Sequence, residues 1–117
     1  MIPPKAQITV YGVAPPVCTA RLSEPMNVFG VFQHAHLAAT ALETRLYRNG
    51  VEQQPLVLNP TYDFNFQALH SLHPVRQVNP QDTITISCTY TTTDEHVAFL
   101  RSLGAGCAVT LCCDRVL

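Results

Sequence analysis

The chain has 117 residues, 47% of them hydrophobic and 13% charged, with a formal net charge of -1. That is enough for one domain with its own core over residues 1–117, and it is too apolar for a disordered segment. The near-neutral charge without a basic run argues against nucleic acid or an anionic membrane surface as partner, and no apolar stretch is long enough to span a bilayer.

Residues 7–13 carry Ile8 and Val10 in weak alternation and read as a first strand, which Ala14-Pro15-Pro16 ends. Residues 18–25 read as a loop. The next stretch, residues 28–37, decides most about the chain. As a strand it puts His34 and His36 side by side, with Phe29, Val31, Ala35 and Leu37 on the opposite, core-like face. As a helix the two histidines would diverge by roughly 200° and could not share an ion. Phe and Val around them favour the strand, although the Ala, Leu and Glu that follow suit a helix.

Residues 41–48 place Leu42, Thr44 and Leu46 on one face and Glu43, Arg45 and Tyr47 on the other. Asn49-Gly50 is a hairpin-turn dipeptide, so residues 51–58 should pair back on that strand. Tyr62, Phe64 and Phe66 then alternate with polar residues and predict a half-buried strand, all three aromatics sharing one face. Residues 74–78 form a short strand, closed by a turn at Asn79-Pro80-Gln81-Asp82. Residues 83–91 turn Ile84, Ile86, Cys88 and Tyr90 inward. Residues 93–103 suit a short helix or a loop, and residues 107–113 make a last strand. Short strands at turn-punctuated spacing predict an all-β fold, an antiparallel β-sandwich or jelly roll.

Two imidazoles on one strand face offer nitrogen ligands to copper or zinc, although most such pairs are solvated histidines without a metal. His70, His73 and His96 fall in turns or loops and read as solvated. No phosphate loop, nucleophile elbow or Ser-His-Asp set is present, and the adjacent Asp94 and Glu95 diverge too far to work as an acid–base pair. Five cysteines without a C-x-x-C spacing fit a disulfide-bearing domain better than a zinc finger. With no signal peptide at the start, they suggest a piece of a longer precursor in the secretory pathway. The competing reading is a cytosolic chain whose thiols stay reduced.

Several of these pieces occur together in one family. Ile2-Pro3-Pro4, Cys18, Val28-Phe29, His34-Ala35-His36-Leu37, Phe66-Gln67, Val78-Asn79-Pro80-Gln81-Asp82, Ile86-Ser87-Cys88-Thr89-Tyr90 and Gly104-Ala105-Gly106 before Cys112 follow in family order. The chain thereby resembles the C-terminal domain of the copper type II, ascorbate-dependent monooxygenases, in their dopamine beta-monooxygenase-like branch. The resemblance implies a secreted two-domain enzyme with one copper in each domain. The C-terminal copper is the oxygen-activating one, the absent N-terminal copper domain supplies the second electron, and ascorbate is the reductant. It implies hydroxylation of an activated carbon in a small-molecule substrate, with His34 and His36 as the two imidazole ligands.

The family's third ligand is a methionine just before a cysteine. An ungapped count from Gly106 to Cys112 puts Leu111 there, and leucine has no lone pair to give. Cys113, which shares a strand face with Leu111, is then the nearest soft donor. The resemblance also implies a Cys88–Cys112 disulfide and no partner for Cys18 within the chain. Phe32 stands where amidating relatives carry arginine, which argues against recognition of a peptide carboxylate. Two functional readings follow. One is the copper-binding half of such an enzyme; the other is a non-catalytic jelly-roll binding module that kept the fold and lost the third ligand.

Overall fold

A computed structural model describes residues 3–36, 38–92 and 107–113, the side chains of Cys107 and Ala108 excepted. Among the described residues, eight strands and one α-helix follow in order: β1 (Gln7–Ala14), α1 (Pro16–Thr19), β2 (Met26–Ala35), β3 (Ala39–Arg48), β4 (Val51–Glu52), β5 (Val57–Asn59), β6 (Leu69–Val78), β7 (Thr83–Thr91) and β8 (Cys107–Cys113). Strands β1, β7, β3 and β4 pair in that order, with β5 also on β3; β6, β2 and β8 form a second sheet. Every pairing is antiparallel. The fold is the all-β sandwich that the alternation predicts.

The core lies between the sheets in two clusters. Met26, Val28 and Val31 from β2 meet Leu46, Leu72, Val78 and Ile84 in one; Ala35, Leu42, Tyr62, Cys88 and Tyr90 make the other. Between them Gln33 and Thr44, both buried, join the sheets through a 2.9 Å hydrogen bond from Gln33 Nε2 to Thr44 Oγ1. Leu42, Thr44 and Leu46 all face inward, as their period of two requires. Asn49 and Gly50 both take positive φ, 50° and 77°, the backbone that a tight hairpin turn demands.

Four local expectations are corrected. The return strand from that hairpin is broken into β4 and β5 by Gln53-Gln54-Pro55, where proline cannot donate to the ladder. The Tyr62-to-Phe66 alternation is not a strand. Asp63 accepts from the Asn65 amide at 2.8 Å and starts a single 3-10 turn, Phe64–Phe66, leaving Tyr62 7% exposed and Phe66 81%. Phe29 is half exposed rather than in the core, because the register of β2 shifts between Val28 and Gly30 and turns it outward. The fourth is minor: the end of the proline break and the first two residues of the expected 18–25 loop wind into α1. Leu37 and the ambiguous 93–103 segment lie outside the described residues, apart from which β6 proves longer than expected.

One buried group gives the fold a pH dependence. Burial raises the pKa of the Tyr90 phenol above its ordinary value, and the neighbouring Tyr62 adds a smaller push in the same direction. The folded state therefore holds this proton more tightly than the unfolded chain does. The stabilisation is complete below the unfolded pKa of about 10 and is lost as pH rises through the folded value. Urea midpoints should accordingly fall on raising the pH above about 10, with a shallower fall in Tyr90→Phe. An identical slope in that variant would remove Tyr90 as the cause.

Candidate metal centre

The buried alternation of Val31, Gln33 and Ala35 turns Phe32 and His34 to the outer face of the three-stranded sheet, and His36 follows one residue beyond the end of β2. The two imidazoles come together on that face. Their ring centroids are 5.2 Å apart and the planes meet at 79°. Imidazole nitrogens bind at about 2 Å from a metal, so two rings this close can share one ion after small side-chain rotations.

His34 is oriented by a single side chain. Its Nδ1 lies 2.6 Å from Gln67 Oε1, while Gln67 Nε2 donates to the Phe64 carbonyl at 3.0 Å. The second bond fixes which end of the amide faces the ring. Only a carbonyl oxygen is presented, so Nδ1 carries the hydrogen and Nε2 keeps its lone pair for a ligand. Such a partner on the far nitrogen is the usual companion of a metal-binding histidine. Phe64 stacks at a tilt 6.4 Å from the His34 ring and also lines a groove of about 520 Å³ with Ala38, Thr40, Thr61 and Asp63.

Strand β6 stops pairing with β2 at the Leu69–Phe32 position. Beyond it the 60–67 segment takes over that edge. The Tyr62 hydroxyl donates to the Ala35 carbonyl at 2.8 Å and accepts from the Ala35 amide at 3.1 Å, so one phenol satisfies both backbone groups of the residue between the histidines. Sequence reasoning missed Tyr62 and Gln67 as parts of the site, because both contacts span some thirty residues. The only available signal was the Phe66-Gln67 pair, which entered as a match without a role.

The other expected site residues fall elsewhere. On β8, Val109 pairs with Gln33, Leu111 with Val31 and Cys113 with Val28, all inward positions, and all three side chains pack against the core. The histidine face of β8 carries Thr110, opposite Phe32, and Cys112, opposite Gly30. Cys113 and Leu111 are therefore on the wrong side of the sheet for His34 and His36, which corrects the expectation that Cys113 is the nearest soft donor. Cys112 shares their face but lies four residues along from His34, roughly 13 Å at strand spacing. It carries a free thiol, so the Cys88–Cys112 disulfide is not made, although Cys88 is disulfide-bonded. His70 and His73 sit on β6 rather than in loops, and His96, Asp94 and Glu95 lie outside the described residues. Among the described residues no three His, Cys, Asp or Glu side chains gather into a metal-binding group. The fit is to a two-imidazole site.

The fold and the paired imidazoles define an all-β domain able to present two nitrogen ligands from one sheet face. The family model described as copper type II ascorbate-dependent monooxygenase, C-terminal domain, matches residues 1–113, and the chain belongs to that family. Among curated relatives, DBH-like monooxygenase protein 1 of Gallus gallus is 44% identical over 69 residues, covering 59% of this chain and 11% of its own length. Putative DBH-like monooxygenase protein 2 of Homo sapiens is 33% identical over 102 residues, 80% of this chain and 20% of its own. Dopamine beta-hydroxylase of Canis lupus familiaris is 34% identical over 106 residues, 88% of this chain and 17% of its own. The chain thus spans no more than a fifth of the length of these relatives. No helix among the described residues is long and apolar enough to cross a membrane.

Proposed function

We propose that this domain binds one copper ion through His34 and His36 and serves as the oxygen-activating half of a dopamine beta-monooxygenase-like enzyme. The observation that carries the reading is the pair of imidazoles 5.2 Å apart, with His34 Nδ1 held 2.6 Å from Gln67 Oε1. Imidazole accommodates both copper oxidation states, and copper held here would supply dioxygen-dependent oxidation with ascorbate as the reductant that the family's name states. This chain's own contribution is to orient the two nitrogens, keep the Nδ1 proton of His34 on Gln67, and offer an aromatic wall at Phe64 beside an open groove. The small-molecule substrate of this reading would approach along the groove that Phe64 lines. Completion of a hydroxylation cycle would need the N-terminal copper domain as partner. The family's secreted character carries over to this proposal as an expected location in the secretory pathway.

The second reading, a non-catalytic binding module, is favoured by one observation: the described part of β8 sets no third donor beside the histidines. The two are separated by Cu(I) titration of the full chain after alkylation of its thiols, because Cys18, Cys112 and Cys113 would otherwise bind the same ion. The alkylated wild-type chain should bind one Cu(I) and a His34→Ala/His36→Ala variant none. Equal binding by both would discard the copper site and leave the binding-module reading.

A further inference from the structure

We infer that Tyr62 is a positioning residue for the histidine pair: on the edge of β2 that β6 has left, its hydroxyl takes the place of a strand at Ala35 and, with β8 paired along the opposite edge, holds His34 and His36 on one face. The inference rests on the copper reading for its functional meaning, but the restraint itself is a property of the metal-free chain.

The geometry leads there in three steps. Backbone groups shielded from water need partners; β8 pairs along one edge of β2 as far as Ala35, while β6 no longer serves the other edge beyond Phe32. At Ala35 the deficit is met on that edge by one phenol, which both donates and accepts. Tyr62 can do so because it is itself fixed. Its ring is buried among Ala35, Ala39, Leu42 and Tyr90, and its amide donates to the Thr40 carbonyl at 3.0 Å. The residue so clamped lies between the two ligands. A change of its φ and ψ would swing the His36 imidazole away from that of His34, while His34 alone would stay tethered by Gln67. Phe64 and Gln67 arrive from the same segment, so a single turn of chain orders one ring directly and the other through the backbone.

Ala38, with φ of 77°, reverses the chain between His36 and β3, so the His36 end of the strand is already a turn, with the Ala39 amide bonded to the His36 carbonyl at 3.2 Å. An extended position next to such a reversal is the one most easily lost when its hydrogen bonds go.

The test is Tyr62→Phe, which keeps the buried ring and deletes only the oxygen, set beside Ile84→Val as a core change far from the histidines. In the metal-free protein, two-dimensional NMR should show cross-relaxation between the His34 and His36 ring protons and slow exchange of the Ala35 amide. Both should be lost in Tyr62→Phe and kept in Ile84→Val. Cu(I) affinity of the thiol-alkylated chain should fall about 10- to 100-fold in Tyr62→Phe alone, the usual penalty for removing a group that orients a ligand. Persistence of the ring-to-ring signal and of slow Ala35 exchange in Tyr62→Phe would overturn the inference. So would an affinity loss shared by Ile84→Val. If instead the NMR signatures change as expected while wild type and the double-histidine variant bind Cu(I) alike, the clamp stands and only the copper reading fails.

Discussion

Arg48→Met should destabilise the fold by about 3–5 kcal/mol, more than any surface substitution in this chain, because it leaves a sealed carboxylate without its cation. Asp82 is 1% exposed at the turn between β6 and β7. Its carboxylate accepts from Arg48 Nε at 2.9 Å, from Arg48 Nη2 at 2.8 Å and from the Asn79 amide at 2.7 Å. Its carbonyl accepts from the Thr19 hydroxyl at 2.6 Å. One aspartate thus joins the end of β3, the turn and α1, while the bidentate contact raises the Arg48 pKa further. The two partners are not equivalent. Arg48 is one-third exposed and can turn to water when Asp82 is removed, whereas Asp82 has no such route. Asp82→Asn should therefore cost less than Arg48→Met, since the amide oxygen can still accept from Asn79. The combined Arg48→Met/Asp82→Asn variant should recover more than half of the single-variant loss. Urea unfolding of the four proteins at neutral pH measures all of this, and additive losses would show that the pair is not coupled.

How much of this was readable beforehand depends on the kind of contact. The strands β2, β3 and β7 were legible because a sheet buried on one face prints a period of two, as Leu42, Thr44 and Leu46 do. The same period misled at Tyr62, Phe64 and Phe66. Alternation does not distinguish a strand from an extended residue followed by a capped turn, and Asp63 chose the latter. The bulge at Phe29 inserts one residue and reverses the parity of what precedes it, which no pattern in residues 26–30 announces. The histidine pair was legible as neighbours because two residues of one strand need no partner to be placed. Everything across the sheet from them was not. Which residues of β8 face His34 depends on a register set by the whole core, and an error of one residue moves a side chain through the sheet. That parity is why Cys113 and Leu111, expected on the face of the two histidines, are found packed against the core. The same holds for Arg48 and Asp82, 34 residues apart and joined only by the fold.

The parity of β8 also yields the sharpest test of the site. Thr110→Met should strengthen Cu(I) binding on the order of tenfold, about 1.4 kcal/mol, and Leu111→Met should not change it. Thr110 is exposed, lies opposite Phe32 and so shares the face of His34 as its diagonal neighbour across the strand pair. Diagonal positions have Cβ atoms roughly 7 Å apart, within reach of a side chain as long as methionine. The thioether is a soft ligand that favours Cu(I), and here it would meet two imidazoles already paired. Leu111→Met is close to a volume-conserving exchange in the core, so the fold should tolerate it at less than about 1.5 kcal/mol. Its sulfur would lie among Val31 and its neighbours, on the far side of the sheet from both histidines. The measurement is competition for Cu(I) against a chromogenic chelator, with thiols alkylated throughout. A gain in Leu111→Met with none in Thr110→Met would mean that β8 pairs with β2 one residue out of the register seen here. Histidines that gain nothing from either methionine, and lose nothing on conversion to alanine, would not be a copper site.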